Sequence, residues 1–300
     1  MTAEQQIITI ANAALTARIS SKGAELQSLV PCWGEELIWQ ADPAVWGWRA
    51  PNLFPIVGAL TEDTLIHQGV RYPMQSHGFL RHSMTAVVAK AAEAADFRLA
   101  DSAETRRQYP FAFELIVSFR LEEDRLIQTF TVNNPDSRPL PVSLGAHPAF
   151  RWPLAAGLER TGHRLVFAEA EPQGIRRVLG NGLGPEPLPT PVVGRILPLD
   201  DSLFDVSAVV WDRLNSRSLS FGVPGGTGIE LSFPDFPHFG LWTRPGGAGF
   251  LCLEPWQGYM SPLGFQGELA VKPGIVSIPP GTGRQWSLTI RPVRELPGEP

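Results

Sequence analysis

The chain has 300 residues, 43% of them hydrophobic, and a formal net charge of −5. That apolar share suffices for a substantial core, and an acidic balance without any basic block excludes a phosphate-backbone partner, so no nucleic acid is expected. Cys32 and Cys252 are too few for a disulfide-stapled fold and read equally as free thiols or as a bridge, with a reducing compartment fitting best.

The opening stretch, MTAEQQIITIANAAL, lacks the basic and uninterrupted apolar regions of a secretory signal. No segment reaches the roughly 20 apolar residues of a membrane span. These missing signals lead to the expectation of a cytoplasmic protein with no membrane partner.

Glycine and proline, 29 each, fall between short apolar runs, which is how many-stranded antiparallel folds are written. Met84–Phe97 is alanine-rich and scores as helix, yet TAVVA within it suits a strand, and propensity alone leaves it open. DSAETRRQYPF offers a serine cap and one helical turn before Pro110. Phe113–Leu121 and Arg125–Val132 flank an acidic turn and predict a hairpin. GPEPLPTPVVGRILPLDD is too rich in proline for core strands and reads as a long surface connection. FGLWTRPGGA leading into GFLCLEPW predicts a second hairpin, and GIVSIPPGTGRQWSLTIRP a third. No repeat or linker marks a boundary, so one β-sandwich domain over 1–300 is expected.

No phosphate-cradling glycine loop, G-x-S-x-G elbow or C-x-x-C pair occurs. Four stretches instead set polar residues among aromatics and prolines: NLFPIVGAL (Asn52–Leu60), SHGFLRH (Ser76–His82), GAHPAF (Gly145–Phe150) and LEPWQG (Leu253–Gly258). Sugar clefts pair aromatic faces with a few charged groups, and nine tryptophans supply the faces. Taken alone, His147 reads more readily as a structural imidazole than as a catalytic one. Glu254, between Leu253 and Pro255, would be a desolvated carboxylate that is costly unless paired or at work. His77 and His82 have no acidic neighbour and a spacing poor for ligands, so no metal is expected. Arg81 reads as a solvated charge or as a fork for hydroxyls or a phosphate.

In this order and spacing, FPIVG, HGFLR, GAHPAF and LEPWQG resemble the aldose 1-epimerase (galactose mutarotase) superfamily, in particular its LacX-like branch. NAALTARISSKGAELQSL resembles the opening hairpin of that branch, so the likeness extends across essentially the whole chain. The resemblance implies a large antiparallel β-sandwich, the galactose mutarotase-like supersandwich, with few short helices, no cofactor, and a strand at Met84–Phe97. It implies Glu254 as general base, His147 as general acid and His77 as a sugar contact. It implies Asp201, or else the adjacent Asp200 in LDDSLF, as the counterpart of an aspartate that binds sugar hydroxyls in relatives. Trp242 and Trp256 are cleft walls by position. Many relatives carry an arginine after the glycine of FPIVG, where this chain has Ala59; Arg49 or Arg81 is the candidate replacement.

The implied reaction is anomer exchange of an aldohexose. A base removes the O1 proton while an acid protonates the ring oxygen, so the ring opens and recloses on the other face. Hexose 6-phosphate epimerisation is the nearest alternative, with Arg81 and Arg49 as phosphate ligands. A silent carbohydrate-binding or sugar-sensing sandwich is another. A glycosidase would want a second carboxylate motif, and none stands out. The expected partner is a small sugar or sugar phosphate, taken by a monomer or homodimer.

Overall fold

A computed structural model describes residues 4–297. Among them strands dominate, and the only helical elements are 3-10 turns of three or four residues. One antiparallel sheet of nine strands runs from Ala86–Ala91 through Ala94–Ala100, Glu114–Glu122, Arg125–Asn133, Gly283–Val293, Gly228–Ser232, Ser218–Gly222 and Arg164–Phe167 to Ile196–Pro198. A second, of eight strands, carries Asn52–Leu53, Leu144–Ala146, Phe250–Gln257, His238–Trp242, Val209–Trp211, Arg176–Leu179 and Gly182–Leu183 in that order. Its eighth strand, Ala149–Arg151, also pairs with Phe250–Gln257. The first three strands, Ile7–Ala11, Leu15–Ser20 and Glu25–Pro31, form a small sheet of their own.

Period-two burial explains why the large sheets face each other. Along Glu114–Glu122, Leu115, Val117, Phe119 and Leu121 are buried and the residues between them are not. Those side chains join Phe130, Trp286 and Leu288 of the same sheet and Phe239, Leu241, Leu251 and Leu253 of the other in one apolar cluster. Each such side chain contributes about 1.5–3 kcal/mol by leaving water. No helix among the described residues is long and apolar enough to cross a membrane.

Local expectations fare unevenly. The alanine-rich segment is strand, as Ala86–Ala91 paired with Ala94–Ala100, because the sheet edge offers it a ladder that outweighs helix propensity. Ser102 and Thr105 cap each other reciprocally at the turn before Pro110. The hairpins at Glu114–Asn133 and His238–Gln257 are present. The third expected hairpin is not. Val276–Ile278 pairs with Leu140–Val142, whereas Gly283–Val293 pairs with Arg125–Asn133 and Gly228–Ser232. Pro279 and Pro280 offer no N–H to a tight ladder, and the loop bonds to Asn134 instead, through Gly281 N and Thr282 O. The proline-rich connection also contains one strand, Ile196–Pro198, at the sheet edge where proline is tolerated. Cys32 is exposed, Cys252 buried, and both are free, which removes the bridge reading.

Candidate active site

The strand Phe250–Gln257 is buried along its whole length, yet its two faces differ. Leu251 and Leu253 point into the inter-sheet core, while Phe250, Cys252, Glu254 and Trp256 line the opposite face. The neighbouring strand is broken there into Leu144–Ala146 and Ala149–Arg151, and both pieces keep register with it. Gly145 faces Trp256 and Ala149 faces Cys252, so His147 falls opposite Glu254. The break suits the sequence, since Pro148 and Pro255 have no N–H to give to a ladder; Leu253 N still donates to Pro148 O at 3.1 Å.

Two glycines make room for the floor. A Cβ on Gly240 would sit 2.3 Å from the Trp256 ring, and one on Gly145 would sit 2.5 Å from it. Trp256 therefore lies flat across two strands that have no side chain at those positions.

Above this floor opens a cavity of about 310 Å³, lined by Trp46, Ala59, His77, Arg81, His147, Asn181, Ser207, Trp242, Glu254, Trp256 and Met260 among others. That is a small-molecule size. His147 Nε2 lies 3.0 Å from Glu254 Oε2, with both side chains over nine-tenths buried. The contact lacks hydrogen-bond alignment, and Oε2 and His147 Nδ1 have no other partner. Trp46 stacks on the imidazole at 5.3 Å and Trp242 meets it edge-on at 6.2 Å, so the ring is held on two sides.

His77 sits at φ 65°, left-handed for a residue with a Cβ, and is held there by reciprocal bonds with Gly58. Its backbone N–H donates to Gly58 O at 2.8 Å, and its Nδ1 accepts from Gly58 N at 3.2 Å. A neutral ring that accepts at Nδ1 carries its proton at Nε2. Gly78 has φ 69°, and a Cβ there would lie 2.2 Å from Phe54 O, which explains the glycine of HGF. Arg81 donates from Nη2 to Ser76 O at 2.9 Å and lies 5.3 Å from the Trp48 ring, while its buried Nε has no acceptor.

Electrostatics corrects the simplest picture of a charged pair. Burial, then the charge of Arg81, pulls the His147 imidazole down to about 3. Burial pushes the Glu254 carboxyl well above its ordinary range, with the Trp256 indole drawing it the other way. Desolvation thus favours the neutral form of each. At 3.0 Å, however, the neutral pair and the imidazolium–carboxylate pair differ only in where one shared proton lies, and the two groups titrate as a unit. His77 is also pulled well below its usual value, by burial and then by His147 and Arg81.

Residues 6–268 match the family model described as aldose 1-epimerase. The chain belongs to the aldose 1-epimerase family. It is 33% identical to protein LacX (plasmid) of Lactococcus lactis subsp. lactis over 283 residues, 91% of this chain and 95% of that protein. Among solved structures it resembles a galactose mutarotase related enzyme from Lactobacillus acidophilus, with TM-score 0.89, 29% identity and coverage of 96% of this chain and 97% of the other. A galactose mutarotase-like protein from Lactobacillus casei gives TM-score 0.87 at 29% identity, covering 96% of this chain and 100% of the other.

Within this aldose 1-epimerase family member the cleft gathers His147, Glu254, His77, Arg81, Trp242 and Trp256 as the sequence suggested. Two expected contacts lie elsewhere. Asp201 is bonded to Arg160, at 2.6 Å from Nη2, outside the cleft lining. Arg160 is itself fixed over Trp152 at 3.5 Å, so that carboxylate serves a surface cluster. Arg49 is taken up by Gln27 Oε1 at 3.0 Å and Gln40 O at 3.2 Å, and does not line the cleft. Arg81 is the one lysine or arginine among the described residues lining this cleft, which Ala59 also lines. Sequence reasoning missed Trp46, Asn181, Ser207 and Met260. The tryptophans of AVWGWRA were the one available signal, since two large aromatics in a glycine-bearing loop need a surface to cover.

Proposed function

We propose that the chain is an isomerase that interconverts the α and β anomers of an aldohexose, with Glu254 as base and His147 as acid. The observation that carries this reading is the 3.0 Å approach of an imidazole and a carboxyl at the floor of a hexose-sized, aromatic-walled cleft. O1 and the ring oxygen are bonded to the same carbon of a pyranose, so adjacent acid and base groups can serve both. A sugar hydroxyl donating to Glu254 favours the carboxylate, and the shared proton then sits on His147. Glu254 takes the O1 proton as His147 gives its own to the ring oxygen; the C1–O5 bond breaks and the aldehyde forms. The pair is then in its neutral form, which burial stabilises. Rotation about C1–C2 and the reverse transfers close the other anomer. His77 donates from Nε2 to a sugar oxygen, and Trp46, Trp242 and Trp256 enclose the ring.

A second reading, a hexose 6-phosphate as substrate, is favoured by the unpaired Nε of Arg81 in the cleft wall. Saturation-transfer NMR or polarimetry on free aldoses and hexose 6-phosphates tests both. Faster exchange of free sugars supports the first and faster exchange of phosphosugars alone the second. Binding without faster exchange of either overturns the enzymatic reading.

A further inference from the structure

Cys252 lies two residues before Glu254 on the same strand face, diagonal to His147, and the acid–base mechanism has no use for it. Its sulfur and one ligand atom each from His147 and Glu254 all lie within 4.8 Å of one another, and all three residues are buried. We propose that these three side chains form a binding site for a soft divalent cation such as Zn²⁺, and that its occupancy blocks the acid–base pair.

The donor set supports this. Zinc sites combine thiolate sulfur at about 2.3 Å with imidazole nitrogen and carboxylate oxygen at about 2.0–2.2 Å, so tetrahedral donors stand roughly 3.3–3.8 Å apart. Side-chain rotations of about 1 Å bring spacings of up to 4.8 Å into that range, while the 3.0 Å approach of His147 to Glu254 opens slightly. One thiolate, one carboxylate and one neutral imidazole cancel the charge of a dication, which is what a dry site demands. Binding releases two protons to solvent, one from the thiol and one from the pair. Glu254 Oε2 and His147 Nδ1 have no hydrogen-bond partner, although both residues are more than nine-tenths buried. Three protein ligands leave a fourth position open toward the cleft. The far separation of Cys252 and Glu254 from His147 in the chain hides this cluster from any reading of ligand spacing.

Metal binding here is independent of the proposed reaction; the blocking of catalysis rests on it. The test uses the full chain carrying Cys32→Ser, which removes the exposed thiol, and Cd²⁺ and Zn²⁺ as probes. One equivalent of Cd²⁺ is expected to produce a thiolate-to-cadmium charge-transfer absorbance that Zn²⁺ abolishes. Adding Cys252→Ser should remove that absorbance, leave basal anomer exchange unchanged and weaken Zn²⁺ inhibition by at least about tenfold. No absorbance at one equivalent in the parent protein overturns the site, whether or not the chain turns over any sugar. Equal Zn²⁺ inhibition of the Cys252→Ser and parent proteins overturns it as well.

Discussion

His147 and Glu254 touch because two pieces of one interrupted strand keep the same register against Phe250–Gln257. The gap between the pieces is where the imidazole emerges, directly across from the carboxyl. This relationship makes the two side chains a unit and gives the first prediction. Glu254→Gln and His147→Asn should each lower accelerated anomer exchange by about 10²–10⁴-fold, with sugar binding kept, as read by saturation-transfer NMR and calorimetry. Full turnover in either variant removes that residue from the mechanism.

A pH profile follows from the shared proton. The active pair holds one proton; a second proton disables the base, and removal of the only one disables the acid. Burial lowers His147 to about 3 and raises Glu254, so the doubly protonated form is confined to acid well below the ordinary histidine value of 6.5. The rate constant per active site is therefore expected to be flat through neutral pH. An inflection near 6.5 in kcat/KM would show His147 titrating as a solvated imidazole and contradict the pair.

Gly240→Ala tests the floor. The added methyl would meet the Trp256 ring at 2.3 Å, while the other end of the ring already lies against Gly145. Overpacking of this kind costs about 1–3 kcal/mol, measurable as a lower denaturant midpoint. Activity should fall with it, because Trp256 shares the cleft lining with Glu254 and His147. An unchanged midpoint would show that the floor is not rigid.

Asp201→Asn should leave anomer exchange and KM as they are, since this carboxylate is spent on Arg160 at the surface. Loss of a half-exposed ion pair costs about 1 kcal/mol or less. A large rise in KM would return Asp201 to the cleft and would require a closed conformation different from this one.

Lys272 provides a stability test away from the cleft. Its ammonium is buried, hydrogen-bonded to the carbonyls of Tyr259 and Pro273, and burial lowers it from 10.5 to about 7. Between those values the unfolded chain binds more protons than the folded one, so this group makes stability rise with pH across that window. Below it the full penalty of the buried charge applies. The difference in unfolding free energy between wild type and Lys272→Met should therefore shift in favour of wild type as pH rises from about 7 to 10. A pH-independent difference would mean that the ammonium is solvated.

Much of this protein was legible in its residues. Alternation and turn chemistry marked the strands, and the motifs HGF, GAHPAF and LEPW carried the residues that meet in the cleft. The glycines of HGF and GAHPAF have local reasons: Gly78 clears Phe54 O, and Gly145 clears Trp256, as Gly240 does from the strand His238–Trp242. Asp201 and Arg49 do not line the cleft, their charges being taken up by Arg160 and by Gln27, and which neighbour a charged side chain finds is not written in its own motif. The third hairpin misled because a turn-like connector says nothing about which partners its flanking strands find.

Composition and periodicity, being local properties, were enough to determine an all-β chain, and the ordered motifs that resemble the family pointed to the side chains that meet in the cleft. Tertiary structure alone decided that Cys252, His147 and Glu254 share one wall, that Trp46 closes over the imidazole, and that burial drives the acid–base pair toward neutrality. Those outcomes depend on cross-strand register and on exclusion of water, and both arise only when segments distant in the chain are packed together.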